Sequence, residues 1–162
     1  MNYRIILLAL MVSLSACKTA RKAADETPSD VPTVNTAVEE EALGDSDSGK
    51  AFGLKTIRFP YDSFALSAEA KNDIQANAKI LKDRASAKVQ IEGHCDQRGG
   101  IQYNIALGEK RSNAVKLALV AQGVAENRIS TISYGKERLL DSAMTEAAYA
   151  QNRRANFVVT SK

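Results

Sequence analysis

The feature that most constrains this chain is a hydrophobic period that keeps changing between residues 51 and 162. Leu54 to Phe59 (LKTIRF) alternates apolar and polar, which predicts a strand. Ser67 is a helix-capping residue, Glu69 complements the helix dipole, and Ala70, Ile74, Ala78 and Leu81 then recur at helical spacing over 68–83. Lys88 to Cys95 alternates again, with Val89, Ile91, Gly93 and Cys95 on one face and Gln90, Glu92 and His94 on the other, exposed one. Residues 102–122 read as a long helix with Leu107, Val115, Ala118 and Leu119 on its buried stripe and Gly123 as its stop. Arg128 to Tyr134 is a third strand. Thr145 caps a short helix over 146–152, and Ala155 to Thr160 is a last strand. The order β-α-β-α-β-α-β predicts an α/β two-layer sandwich, with helices on a mixed four-stranded sheet.

The chain before residue 51 has no such period. Arg4 precedes an apolar run from Ile5 to Leu14. A spanning helix needs roughly 20 apolar residues, so the run fits the hydrophobic core of a secretory signal instead. It closes on Leu14-Ser15-Ala16-Cys17, which resembles a bacterial lipobox. The resemblance implies a signal peptide over 1–16, with Cys17 becoming the lipidated N-terminus. Several acyl chains, at about 0.8 kcal/mol per buried CH₂, make a stable anchor. Lys18 follows Cys17 where an Asp would favour retention, which points to the outer membrane. Residues 17–50 then hold Pro28, Pro32 and the acidic runs Glu39-Glu40-Glu41 and Asp45-Ser46-Asp47, and read as a flexible acidic linker. The remainder, 51–162, carries 17 basic and 11 acidic residues, a net of +6.

Composition excludes several classes of chemistry. His94 is the only histidine, and Cys17 and Cys95 are the only cysteines, so neither a multi-histidine metal site nor a pair of CxxC motifs can be built. No metal, cofactor or phosphate-cradling glycine loop is expected. The basic balance alone does not imply nucleic acid, because no aromatic platform is interleaved with the basic residues.

Three segments carry the function. They are Gly93-His94-Cys95-Asp96-Gln97-Arg98-Gly99, the helical Asn104 to Val115 (NIALGEKRSNAV), and Ser133-Tyr134-Gly135-Lys136-Glu137 with Asn152-Arg153-Arg154-Ala155. Together, over residues 54–160, they resemble the OmpA-like peptidoglycan-binding domain, with Ser112 where that family usually has Ala and Cys95 as a second small-residue departure. With a lipobox, a short tether and no barrel, the whole chain resembles the lipid-anchored members that work with the Tol proteins. The resemblance implies an outer-membrane lipoprotein on the periplasmic side that grips the diaminopimelate of an uncrosslinked peptide stem, with TolB as a partner and a role in envelope integrity and cell division. A wall-binding lipoprotein of the same family without a Tol partner is the alternative.

That ligand ends in one ammonium and one carboxylate, so its site needs an anion and a cation close together. The resemblance places Asp96 at the ammonium and Arg111 at the carboxylate, with Tyr61 and Asp62 closing the site and Leu107 as an apolar wall. Asn104 and Gly99 support the loop. On the residues alone, Asp96 and Arg111 could equally pair with each other, Asp62 could be a plain turn residue, and Arg153 and Arg154 could be solvated or ion-paired. A peptidoglycan hydrolase is the rival from another class. Its nucleophile pair would be Cys95 and His94, but adjacent strand residues point to opposite faces.

Overall fold

The computed structural model describes residues 43–162; the signal segment 1–16, Cys17 and the linker up to residue 42 lie outside them. The elements are β1 (Ile57–Arg58), α1 (Ala68–Asp83), β2 (Lys88–His94), α2 (Ile101–Ala121), a 3₁₀ turn at Glu126–Arg128, β3 (Ile129–Gly135), α3 (Glu146–Asn152) and β4 (Arg154–Ser161). Their spatial order in the sheet is β1-β4-β2-β3. Strand β4 pairs antiparallel with both β1 and β2, while β2 pairs parallel with β3. A parallel pair needs a crossover, and α2 supplies it. The mixed four-stranded α/β arrangement is the one the periodicity predicts.

The helical boundaries follow their caps. Ser67 Oγ accepts from Ala70 N at 3.1 Å and starts α1, and Thr145 Oγ1 accepts from Ala148 N at 3.3 Å and starts α3. One face of the sheet packs Val89, Ile91, Phe157 and Val159 against Ile74 and Leu81 of α1 and Val115 and Leu119 of α2. These side chains are almost wholly buried, so truncating Phe157 to Ala would cost about 3–5 kcal/mol. The two layers approach each other closely at a pair of glycines. A Cβ added to Gly93 of β2 would lie 1.9 Å from the carbonyl oxygen of Gly108 in α2. Backbone meets backbone there, which sets α2 low over the end of β2 and puts Arg111, one turn further on, within reach of that strand's last carbonyl.

Three expectations need correction. The first strand is shorter than 54–59, because the Lys55 N–H and C=O are taken by the amide of Asn77 in α1, at 2.8 Å each, rather than by β4. The boundary at 51 is also too late. Residues 43–50 are not leash but strap: they lie antiparallel along the free part of the β4 edge, with a bridge between Asp45 and Val158. Leu43 N donates to Val159 O at 3.0 Å, Val159 N to Gly44 O at 2.9 Å, and Ser46 N to Phe157 O at 2.8 Å. Asp47 then pairs with Arg154 at 2.7 Å. The short β1 leaves this edge unpaired, and the strap satisfies it.

The third correction is His94, which is buried. The face of the sheet away from α1 and α2 is not solvent. Asn156 of β4 donates to Glu92 of β2 at 3.0 Å, Arg138 stacks 3.6 Å above the Tyr134 ring, and Ser46 and Asp47 N bond to Asn156 Oδ1. His94 sits under this cover, its ring 5.7 Å from that of Tyr134. Its Nε2 lies 3.4 Å from Glu92 Oε2, but without hydrogen-bonding alignment.

Candidate functional site

At the C-terminal end of β2 the chain turns through Cys95 to Gly100 before α2 begins, and this loop is held from several sides. Asn104 Nδ2 donates to Arg98 O at 2.7 Å and Gly100 O at 3.1 Å, as expected of a bracing residue. Lys136 Nζ donates to Gly99 O at 2.7 Å. Gly99 itself has φ of +83°, where a side chain would be strained. The facing turn carries Asp62 at φ +50°, a left-handed conformation that Asp tolerates.

Between loop, turn and α2 lies a cavity of about 250 Å³. Tyr61, Asp62, Asp96, Gly99, Asn104, Leu107 and Arg111 all line it, so the structure brings together every residue singled out from the sequence for the site. It adds Cys95, Arg98 and Tyr103. Tyr103 was legible: it shares a helix face with Leu107 and Arg111 at intervals of four residues. Its hydroxyl donates to Asp62 Oδ1, which ties the turn to α2. Arg98 stood within the Gly93–Gly99 motif, but its spacing gave no sign that its side chain would reach the cavity, since an Asx turn at Asp96 needs only a backbone donor two residues on.

Asp96 and Arg111 do not pair with each other. The Asp96 carboxylate accepts Arg98 Nη2 at 2.7 Å and Arg98 N at 3.1 Å, and lies 3.4 Å from Arg153 Nη1. Burial pushes its pKa up, but the hydrogen bonds from Arg98 more than offset this and hold the carboxyl below its ordinary value. Arg98 is sandwiched between the Tyr61 and Tyr149 rings, at 4.1 and 4.3 Å. Arg153 donates to Phe59 O at 3.1 Å and to Glu146 at 2.8 Å, and is thus an ion-pair partner rather than a solvated residue.

Arg111 is wholly buried. Its guanidinium donates to Ser63 O at 2.9 Å, His94 O at 2.8 Å, Pro60 O at 3.2 Å and Cys95 Sγ at 3.4 Å. Those bonds use four of its five N–H groups. Among the described residues no carboxylate forms an ion pair with it. Burial pushes its pKa down and the nearby Arg153 adds to this, outweighing the opposing pull of Asp96 and Asp62. The cavity therefore presents a carboxylate crowded by cations on one side and, on the other, a buried cation that no carboxylate among the described residues pairs with.

Cys95 and His94 lie on opposite sides of the sheet. The thiol donates to Asn104 O at 3.3 Å on the helical side, while His94 stacks on Tyr134 on the other. Burial pushes the thiol pKa up, which favours the un-nucleophilic form.

The sequence pattern of the OmpA family matches residues 58–153. The chain belongs to the OmpA family. Among its relatives there are proteins named peptidoglycan-associated lipoprotein. One from Pseudomonas aeruginosa is 43% identical over 109 residues, which cover 67% of this chain and 64% of that protein. One from Pasteurella multocida is 38% identical over 121 residues, 68% of this chain and 81% of the relative. This OmpA-family chain thus spans a little under two thirds of the Pseudomonas protein. A crystal structure of the peptidoglycan-associated lipoprotein from Burkholderia pseudomallei superposes with a TM-score of 0.62 at 36% identity, covering 64% of this chain and 88% of that one.

Proposed function

We propose that the chain is an outer-membrane lipoprotein that binds peptidoglycan non-covalently, by taking the amino-acid end of a diaminopimelate side chain into this cavity. The observation that carries the reading is Arg111: a buried guanidinium, surrounded by carbonyls, with no carboxylate of its own among the described residues. A ligand carboxylate supplies the missing counter-ion. Asp96 receives the ligand ammonium, Leu107 lies against its methylene chain, and Tyr61 and Asp62 close over it. The names of the relatives support the same partner. Cys95 and His94, the pair on which the hydrolase reading rests, lie on opposite sides of the sheet, so that reading gains nothing from them.

Calorimetry of the full chain in detergent with a diaminopimelate-containing stem peptide tests the site. Breaking a hydrogen-bonded charge pair from one side costs about 2–5 kcal/mol, so Asp96→Ala and Arg111→Ala should each weaken binding at least tenfold. Folded variants that bind like wild type would show that these residues only hold the loop.

The anchor and the further partner belong to the same proposal. Cys17 carries the lipid, and TolB competes with the wall for the domain. In cells, Cys17→Ser should remove the mature protein from the outer-membrane fraction. Wild-type chain should recover TolB from periplasmic extract when sacculi are omitted and lose it when they are added. A Cys17→Ser protein still maturing in the outer membrane, or TolB recovery blind to sacculi, would overturn the respective half.

A further inference from the structure

A second recess, of about 160 Å³, adjoins the cavity. It shares Asp62, Tyr103 and Leu107 with the first, and the Tyr103–Asp62 hydrogen bond forms the bar between the two. Its own contributions are Phe64, Ala106 and Lys110. Residues 103, 106, 107 and 110 are consecutive positions on one face of α2, so the two recesses form a single groove along that helix. Phe64 and Tyr103 expose about half their surfaces there, 48% and 55%. Lys110 Nζ stands 5.6 Å from the centre of the Phe64 ring.

Charge distinguishes the second recess. Asp62, its one anion, is already engaged by the Tyr103 hydroxyl. Lys110 forms no ion pair among the described residues, although Glu109 precedes it in sequence. An apolar-walled groove with one uncommitted cation suits a carboxylate on a short peptide. A stem bound through its diaminopimelate has such a group on either side: the α-carboxylate of the D-glutamate that precedes it and the terminal carboxylate of the D-alanine that follows. One residue of extended chain spans about 3.3–3.6 Å, so the flanking residues pass through whatever adjoins the first cavity.

We infer that the Phe64–Tyr103–Lys110 groove is a second subsite for the peptide stem, in which Lys110 binds the carboxylate of a residue flanking diaminopimelate. The inference rests on the reading of the first cavity and extends it. Lys110 is exposed, so its contribution is that of a surface ion pair: about two- to fivefold in affinity at low salt, fading as salt screens it.

The test is calorimetry of the full chain in detergent at low salt, with free diaminopimelate, the L-alanyl-γ-D-glutamyl-diaminopimelate tripeptide, and the tetrapeptide ending in D-alanine. Wild type should bind at least one peptide two- to fivefold more tightly than free diaminopimelate. Lys110→Met should abolish that gain and leave free diaminopimelate unchanged, and Lys110→Glu should push the peptide below it. Amidating the D-glutamate carboxylate or the D-alanine carboxylate should reproduce the loss in one of the two arms and so identify which group is bound. If wild type and Lys110→Met bind peptides and free diaminopimelate alike, the second subsite is wrong while the first stands. If wild type binds neither, the reading of the first cavity falls and this inference with it.

Discussion

Two buried arginines lie on opposite faces of the same sheet and do different work. Arg154, on the face away from α1 and α2, is met by Asp47 of the strap at 2.7 Å, and its remaining donors reach the carbonyls of Asn152 and Arg138 at 3.4–3.5 Å. Arg111, on the helical face, is equally buried but meets only carbonyls and a thiol. Both satisfy their hydrogen bonds; only one has its charge neutralised within the described residues. A buried cation with its own carboxylate is a clasp. One held by carbonyls beside a cavity is, under the proposed function, a receptor for an anion.

The sharpest way to break this contrast is to make the clasp resemble the receptor. Asp47→Ala leaves Arg154 buried and uncompensated, which should cost about 3 kcal/mol in chemical denaturation, with affinity for the stem peptide unchanged. Adding Arg154→Met should recover most of that loss, because an apolar side chain of similar length needs no counter-ion. If Asp47→Ala is neutral, the strap does not hold the charge.

The complementary change acts on the receptor. Arg111→Lys keeps the charge but loses the planar fork. It should bind the diaminopimelate peptide at least tenfold more weakly and lose most of wild type's preference over a lysine-containing stem, which lacks the second carboxylate. Calorimetry with the two peptides decides it, and a retained preference would move the carboxylate site away from Arg111.

The smallest expected effect compares carboxylates across the sheet. Asp96 beside the cavity and Glu92 on the other face both have pKa values below their ordinary ones. For Glu92, burial pushes up, while the nearby His94 imidazole, the Asn156 amide and Arg138 more than offset it. A depressed folded pKa means that the unfolded chain binds the proton more readily, so the stabilisation is complete above the unfolded values near 4 and drains away as pH falls through the folded ones. Melting temperature followed below about pH 4.5 should therefore drop less steeply in Glu92→Gln and in Asp96→Asn than in wild type. Slopes unchanged in both would show that neither carboxyl is held in its charged form by the fold.

What could be read from the sequence was local. Helix α1 begins where Ser67 and Glu69 say it should, and α3 begins at Thr145, because a cap and a first turn are written in adjacent residues. The site's composition came from the family resemblance, whose motifs fall on one turn, one loop and one helix face; the residues alone left Asp96 and Arg111 free to pair with each other. Its wiring was not legible. Asp96 engages Arg153, 57 residues away, and neither residue type nor spacing reveals that pairing. The strap was opaque for the same reason: Asp45-Ser46-Asp47 is polar and aperiodic, and only a strand edge and Arg154, more than 100 residues downstream, give it a place. His94 misleads because alternation marks the two faces of a strand but cannot tell which will be covered.

The strap also fixes how a force applied at Leu43 would enter the domain. Leu43 bonds to Val159, which is paired with Val89, whereas the cavity is built at the other end of β2, beyond His94. Five residues of strand separate those positions, about 17 Å at 3.3 Å per residue. The strap runs antiparallel to β4, from Leu43 toward the cavity end. A force that draws Leu43 away from the cavity end is therefore directed along the strands. It loads the strap's hydrogen bonds and the Asp47–Arg154 pair together in shear instead of peeling them one at a time. The arrangement resists tension along one axis, the axis that joins the cavity to Leu43.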